Sequence, residues 1–180
     1  MESVRMLNQT GVQTAEHIGV LAYRALLEEV YTTPKPGLVD LATTGAHTDM
    51  DVHTFERSAA ALHPWFVRMA LEGETFQGTP RELFLKIRTY GIAAEQEMYR
   101  ATGGVNTHKG LVFTLGIFCA AAGRMKKEGK RMTVRGLVHM EQLMTVEVLK
   151  EEILHLVSPS EAGNLNERFQ TNGIKNLQAY

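Results

Sequence analysis

The stretch FERSAAALHPWFVRM, residues 55–69, places Phe55, Ala59, Leu62, Phe66 and Met69 at intervals of 4, 3, 4 and 3. That rhythm is one apolar stripe on an α-helix, and strand alternation does not produce it. Pro64 falls inside the stripe, so a kink or a break is expected there.

The same spacing recurs on both sides. Residues 14–30 put Ile18, Leu21, Ala22, Ala25 and Leu26 on one face. TPRE, Thr79 to Glu82, is a helix start with a threonine cap, a proline at the first position and a glutamate three residues after the cap. The helix it opens carries Leu83, Ile87, Ala94 and Met98 and ends near Thr102. GLVFTLGIFCAAAG, Gly110 to Gly123, reads as a buried helix starting near His108. KKEGKR is a surface turn. Residues 134–157 are expected to form two further helices, with Thr145 as a cap. No strand pattern or internal repeat is present. The expected fold class is therefore all-α: a multi-helix bundle with two long functional loops and no sheet. The helical domain spans 1–157, and 158–180 is a poorly patterned C-terminal segment.

Bulk composition agrees with one folded domain. The 180 residues are 44% hydrophobic and 22% charged. A net charge of −1 supplies no global field for nucleic acid or membrane. The single cysteine, Cys119, lies in an apolar run and excludes a disulfide framework, so a reducing cytoplasm is the expected location. The N-terminus lacks the apolar core of a signal peptide, and no apolar run approaches the roughly 20 residues of a membrane span.

The two loops carry the chemistry. The first runs from YTTPKPGLVD through TTGAHTDMDVH, Thr43 to His53. Asp49 and Asp51 stand two apart with Asp40 upstream, a carboxylate grouping that suits Mg²⁺ shared with substrate phosphates. The competing reading has Asp49 capping the next helix and Asp51 supporting its positive end, and spacing alone leaves the two even. His47 and His53 lack the spacing of a zinc pair. Lys35, between two prolines, has a stiffened backbone suited to a phosphate contact, against the plainer reading of an exposed turn lysine. The second loop, TGGVNTHKG, Thr102 to Gly110, brings Asn106 and Thr107 to a helix start and His108 and Lys109 into its first turn. Cations there oppose the helix dipole unless an anion binds, so an anion site is favoured over a plain Asn/Thr cap. The pattern is not a P-loop. Glu95 flanks the apolar stripe of the preceding helix and could face the same cavity, whereas Glu97 fits a solvated surface.

PKPGLVD, GAHTDMD, F..SA.AL.P.F (Phe55 to Phe66), AE..M..AT.GVNTHKG (Ala94 to Gly110) and LG...AAAGR together closely resemble the triphosphoribosyl-dephospho-CoA synthase family, over roughly Glu28 to Gly173. Members build the prosthetic-group precursor of citrate lyase and malonate decarboxylase. The resemblance implies an all-helical enzyme with ATP and 3′-dephospho-CoA as substrates and Mg²⁺ as metal. Adenine leaves C1 of the ATP ribose, the 2′-hydroxyl of dephospho-CoA takes its place, and the triphosphate is retained. On this reading Asp49, Asp51 and Asp40 serve the metal, and Lys35, His47, Asn106, Thr107, His108 and Lys109 serve the triphosphate. Glu95 or Asp51 is then the catalytic carboxylate. Family members run well beyond the position of Tyr180, with a GxRGEA-like motif after the T.G that matches Thr171 and Gly173, so a shortened form lacking part of the site is expected. No nucleic-acid or membrane partner is expected, and a homodimer stays open. Two alternatives remain: a metal-dependent nucleotide or phosphate hydrolase on a helical bundle, and a non-catalytic helical scaffold.

Overall fold

A computed structural model of the chain describes residues 2–157, with side chains over 11–153. The segment 158–180, with Thr171 and Gly173, lies outside the described residues. Five helices follow in order: α1 (Glu2–Tyr31), α2 (Val52–Thr75), α3 (Pro80–Thr102), α4 (Lys109–Lys127) and α5 (Val134–Val157). No strand occurs among the described residues. The chain divides into two compact units, Met1–Met144 and Thr145–Tyr180, and the first holds the bundle α1–α4. Where two helices were expected over 134–157 there is one; Thr145 is buried within it rather than capping a break.

α2 is the centre of the bundle. Its N-terminus is closed by a capping box between Asp51 and Thr54. The predicted stripe is real: Ala59, Leu62, Phe66 and Met69 are all buried. The helix continues through Pro64, so the expected break is absent. α3 opens on the predicted Thr79–Glu82 capping box with Pro80 at the first position, and buries Leu83, Ile87, Ala94 and Met98. α1 differs from expectation. Its buried line is Ala15, Gly19, Ala22, Leu26 and Val30, while Leu21 is half exposed. The reason is close approach: a Cβ on Gly19 would fall 2.3 Å from Val67 Cγ2 and 3.0 Å from its backbone nitrogen. α1 therefore packs through its small residues, which a pattern weighted by large side chains does not detect.

α2 and α4 run parallel and touch backbone to backbone. A Cβ on Gly73 would lie 2.1 Å from the Ala120 carbonyl oxygen, and one on Gly123 would lie 2.0 Å from that of Ala70. Arg124 ties the same end to the α2–α3 turn, donating to the Phe76 and Gly78 carbonyls at 3.2 and 2.9 Å. Cys119 is buried in α4, and burial pushes its thiol up to about 12. With α1 and α3 antiparallel to this pair, the loop after α1 and the loop before α4 close the same end of the bundle. No described helix is long and apolar enough to cross a membrane.

Candidate functional site

Asp40 organises the first loop. Its Oδ2 accepts from Thr33 Oγ1 at 2.8 Å and from the Lys35 N–H at 2.9 Å. Its Oδ1 accepts from the Ala42 and Thr43 N–H groups, both at 2.8 Å. The Lys35 N–H, then the Thr33 hydroxyl, hold this buried carboxyl well below the usual range. Asp40 thus serves the loop backbone, and among the described residues no group of three or more His, Cys, Asp or Glu side chains could hold a metal ion. The expected assembly of Asp40 with Asp49 and Asp51 does not form.

Asp51, rather than Asp49, is the helix cap. Its Oδ1 accepts from the Thr54 N–H at 2.8 Å and the Thr54 hydroxyl at 2.7 Å. Those bonds, the hydroxyl's first, lower its pKa. Asp49 is exposed, with one oxygen 3.9 Å from Nδ1 of the half-exposed His47. Asp49 and Asp51 line an open depression with Thr44, Thr48, Met50 and Thr54. Its polar groups are two carboxylates and three hydroxyls, an all-oxygen donor set of the kind Mg²⁺ takes.

Lys35 reaches back to the end of α1, where Nζ donates to the Glu29 carbonyl oxygen at 2.7 Å and pairs with its carboxylate at 2.9 Å. It is not the free turn lysine of the plainer reading.

The second loop leaves α3 through Gly103 and Gly104, at φ 70° and 94°, a left-handed backbone that favours glycine. Asn106 Oδ1 then accepts from the Lys109 N–H at 3.4 Å. His108 overturns an expectation. It is the N-cap of α4 and not a first-turn cation; it is 1% exposed, and the Phe55 ring meets it edge-on at 4.9 Å. Burial lowers its pKa to about 4, so the ring is neutral at pH 7 and does not oppose the helix dipole.

Ser58, which the sequence reading missed, explains how the ring is held. Thr107 Oγ1 donates to Ser58 Oγ at 2.7 Å, and Ser58 Oγ lies 2.7 Å from His108 Nδ1. The Ser58 hydroxyl and Nδ1 share one proton between them, and the ring tautomer sets which of the two donates. The Nε2 of His108 is buried without a hydrogen-bond partner. The available signal was a hydroxyl on the apolar stripe of α2, where a buried polar group requires a partner. Glu29 and Lys35 also act electrostatically on His108, which places the base of the first loop near the start of α4.

Lys109 is in the first turn of α4, but its Nζ pairs with Glu95 Oε1 at 2.8 Å, and Glu95 keeps the lysine charged. This pair closes one side of a cavity between α3 and α4. Glu97 is a surface partner of Arg100, as expected.

The chain matches the family described as ATP:dephospho-CoA triphosphoribosyl transferase over residues 15–174. It is 45% identical over 151 residues to a "probable 2-(5''-triphosphoribosyl)-3'-dephosphocoenzyme-A synthase" of Albidiferax ferrireducens, covering 83% of this chain and 50% of that protein. It is 45% identical over 118 residues to the 2-(5''-triphosphoribosyl)-3'-dephosphocoenzyme-A synthase of Klebsiella pneumoniae, covering 65% of this chain and 39% of that one. A "probable" synthase of the same name from Photobacterium profundum is 49% identical over 110 residues, 61% of this chain and 35% of its own length. The chain therefore spans half or less of the length of these relatives. No solved structure matches it. The family match contains both glycine-bearing loops, helices α2 to α4 and α1 from Ala15 onward, and on that ground the chain belongs to the ATP:dephospho-CoA triphosphoribosyl transferase family.

Proposed function

We propose that this chain is the transferase that makes 2′-(5″-triphosphoribosyl)-3′-dephospho-CoA from ATP and 3′-dephospho-CoA, or its N-terminal portion. The observation that supports this best is that the two loops of the family match close one end of the bundle, with Thr107 and His108 of the second held against Ser58 of α2. In the reaction the C1′–N9 bond of ATP breaks and the 2′-hydroxyl oxygen of dephospho-CoA bonds to C1′. Adenine leaves and takes up a proton, and the attacking hydroxyl gives its proton to a base. Positive charge builds at the anomeric carbon, and a nearby carboxylate stabilises it. Glu95 fits the role of base, with Lys109 beside it as the cation released when the carboxylate turns to substrate. Lys35, His47, Asn106, Thr107 and Lys109 hold the triphosphate. His108 joins them as a neutral ring whose Nε2 has no partner within the protein. Asp49 and Asp51 would hold Mg²⁺, which when bound neutralises phosphate charge. The product is the prosthetic-group precursor of citrate lyase or malonate decarboxylase, and the site of action is the cytoplasm.

Incubation with ATP, Mg²⁺ and dephospho-CoA tests the reading. Adenine formed only in the presence of dephospho-CoA supports it; phosphate released without adenine assigns a hydrolase instead. Asp51→Asn separates metal from cap, because asparagine caps a helix about as well as aspartate. The substitution is expected to weaken Mg·ATP binding at least tenfold while the urea midpoint stays near wild type. Unchanged affinity in a calorimetric titration would remove Asp51 from the metal site.

A further inference from the structure

α3 and α4 enclose a cavity of about 210 Å³. Its walls are apolar and include the rings of Phe84 and Phe113, which meet edge to face at 6.2 Å. Glu95 and Lys109, paired at 2.8 Å, supply a carboxylate and an ammonium to its lining. Arg88, Gly91, Ile92 and Glu95 fall at helical spacing on the face of α3 that lines it.

Gly91 is the informative residue. It lies in the interior of α3, where glycine weakens a helix relative to alanine. Glycines at the α2–α4 contact have steric reasons: a Cβ on Gly73, Gly116 or Gly123 would come within 2.1, 2.6 or 2.0 Å of a neighbour, whereas Gly110, also without a neighbour, lies in the first turn of α4 and not in a helix interior. A Cβ on Gly91 meets nothing within 4 Å. What glycine provides at this position is the space itself.

We infer that this cavity receives the adenine ring of an adenosine-containing substrate. The inference rests on the transferase reading, in which both ATP and dephospho-CoA carry adenine. The volume is below the several hundred Å³ that a whole drug-sized ligand occupies and suits one ring system. Aromatic and aliphatic walls take the two faces of a base. The Glu95–Lys109 pair lies at the end of the cavity next to the second loop, so it faces the sugar and phosphate side of a base seated there. Lys109 directly follows Thr107 and His108, so a base bound here has its sugar beside the second loop.

Calorimetric titration and thermal unfolding of the full chain test this with Mg·ATP and dephospho-CoA as separate probes. Gly91→Leu fills the cavity. It is expected to reduce affinity tenfold or more for whichever probe places its adenine there, with a melting temperature equal to or above wild type. Gly91→Ala, which removes only the helix penalty, is expected to raise the melting temperature with a smaller loss of affinity. The probe that responds identifies the source of the ring. Wild-type affinity of Gly91→Leu for both probes overturns the inference and leaves the transferase reading intact. A wild-type chain that binds neither probe overturns the transferase reading. Competition by 4′-phosphopantetheine as effective as that by adenosine assigns the cavity to an aliphatic arm and also overturns the inference.

Discussion

The parallel pair α2 and α4 is joined differently at its two ends. At the C-terminal end, Gly73 and Gly123 let the two backbones touch. At the N-terminal end the contact is a relay of side chains, from Thr107 through Ser58 to His108. The first contact is steric and carries no charge and no donor. The second buries polar groups whose desolvation is recovered only while each keeps its partner. The glycine end should therefore fail when atoms are added, and the polar end when a partner is removed or a proton is gained.

Gly123→Leu is the strongest way to break the first half of that contrast. A Cβ there stands 2.0 Å from the Ala70 oxygen and 2.9 Å from the Glu74 nitrogen, both backbone atoms that no rotamer change can move. Overpacking of this kind costs about 1–3 kcal/mol and occasionally more. A loss of about 3 kcal/mol or more in urea unfolding is expected, up to failure to fold. A wild-type urea midpoint would show that the helices are not in contact there.

The polar end should be acid-sensitive through His108. Its folded pKa, about 4, is below the ordinary 6.5 because burial disfavours the charged ring. On acidification the unfolded chain takes up this proton first, so stability is complete above about pH 6.5 and falls as pH drops towards 4. At about 1.4 kcal/mol per pH unit the loss is roughly 3 kcal/mol. His53, whose pKa Glu56 raises, contributes with the opposite sign and is common to both proteins compared. His108→Asn keeps a capping residue and should flatten the urea midpoint between pH 6.5 and 4. Identical slopes for variant and wild type would place the acid sensitivity elsewhere.

Ser58→Ala sharpens the same comparison with a smaller effect. It removes the hydrogen-bond partner of both Thr107 Oγ1 and His108 Nδ1, and a buried polar group left alone costs about 1–3 kcal/mol. A stability within about 0.3 kcal/mol of wild type, at neutral pH, would mean that the relay does not hold the loop.

The stripe of α2 and the capping box of α3 were legible because each is local: four or five residues at fixed spacing determine the outcome. The two loops were legible from glycine, proline and aspartate content. α1 was misread in detail because its packing depends on Gly19 meeting Val67, and small residues leave no mark on a hydrophobic pattern. His108 was misread for a related reason. Its residue type suggests a cation, but its state is fixed by Phe55 and Ser58, and Ser58 is 50 residues away. Asp40 looked like a ligand because a carboxylate in a loop carries the same letter whether it faces a metal or its own backbone.

Lys109 lies between the two behaviours, and Lys109→Ala should move stability least of all. Its partner Glu95 is 2.8 Å away, but the two side chains are 55% and 30% exposed, and exposed pairs contribute only about 0–1 kcal/mol. Removing a cation from the first turn of α4 also relieves an unfavourable interaction with the helix dipole. The two terms oppose each other, so a change within about 0.5 kcal/mol is expected in urea unfolding. The affinity for Mg·ATP should instead fall at least tenfold, because the ammonium is beside the loop assigned to the triphosphate. A pair that contributes so little to folding is one that a phosphate can separate at small cost. Calorimetry decides the matter: normal ATP affinity together with a clear loss of stability would make Lys109 a structural residue and return Glu95 to the fold.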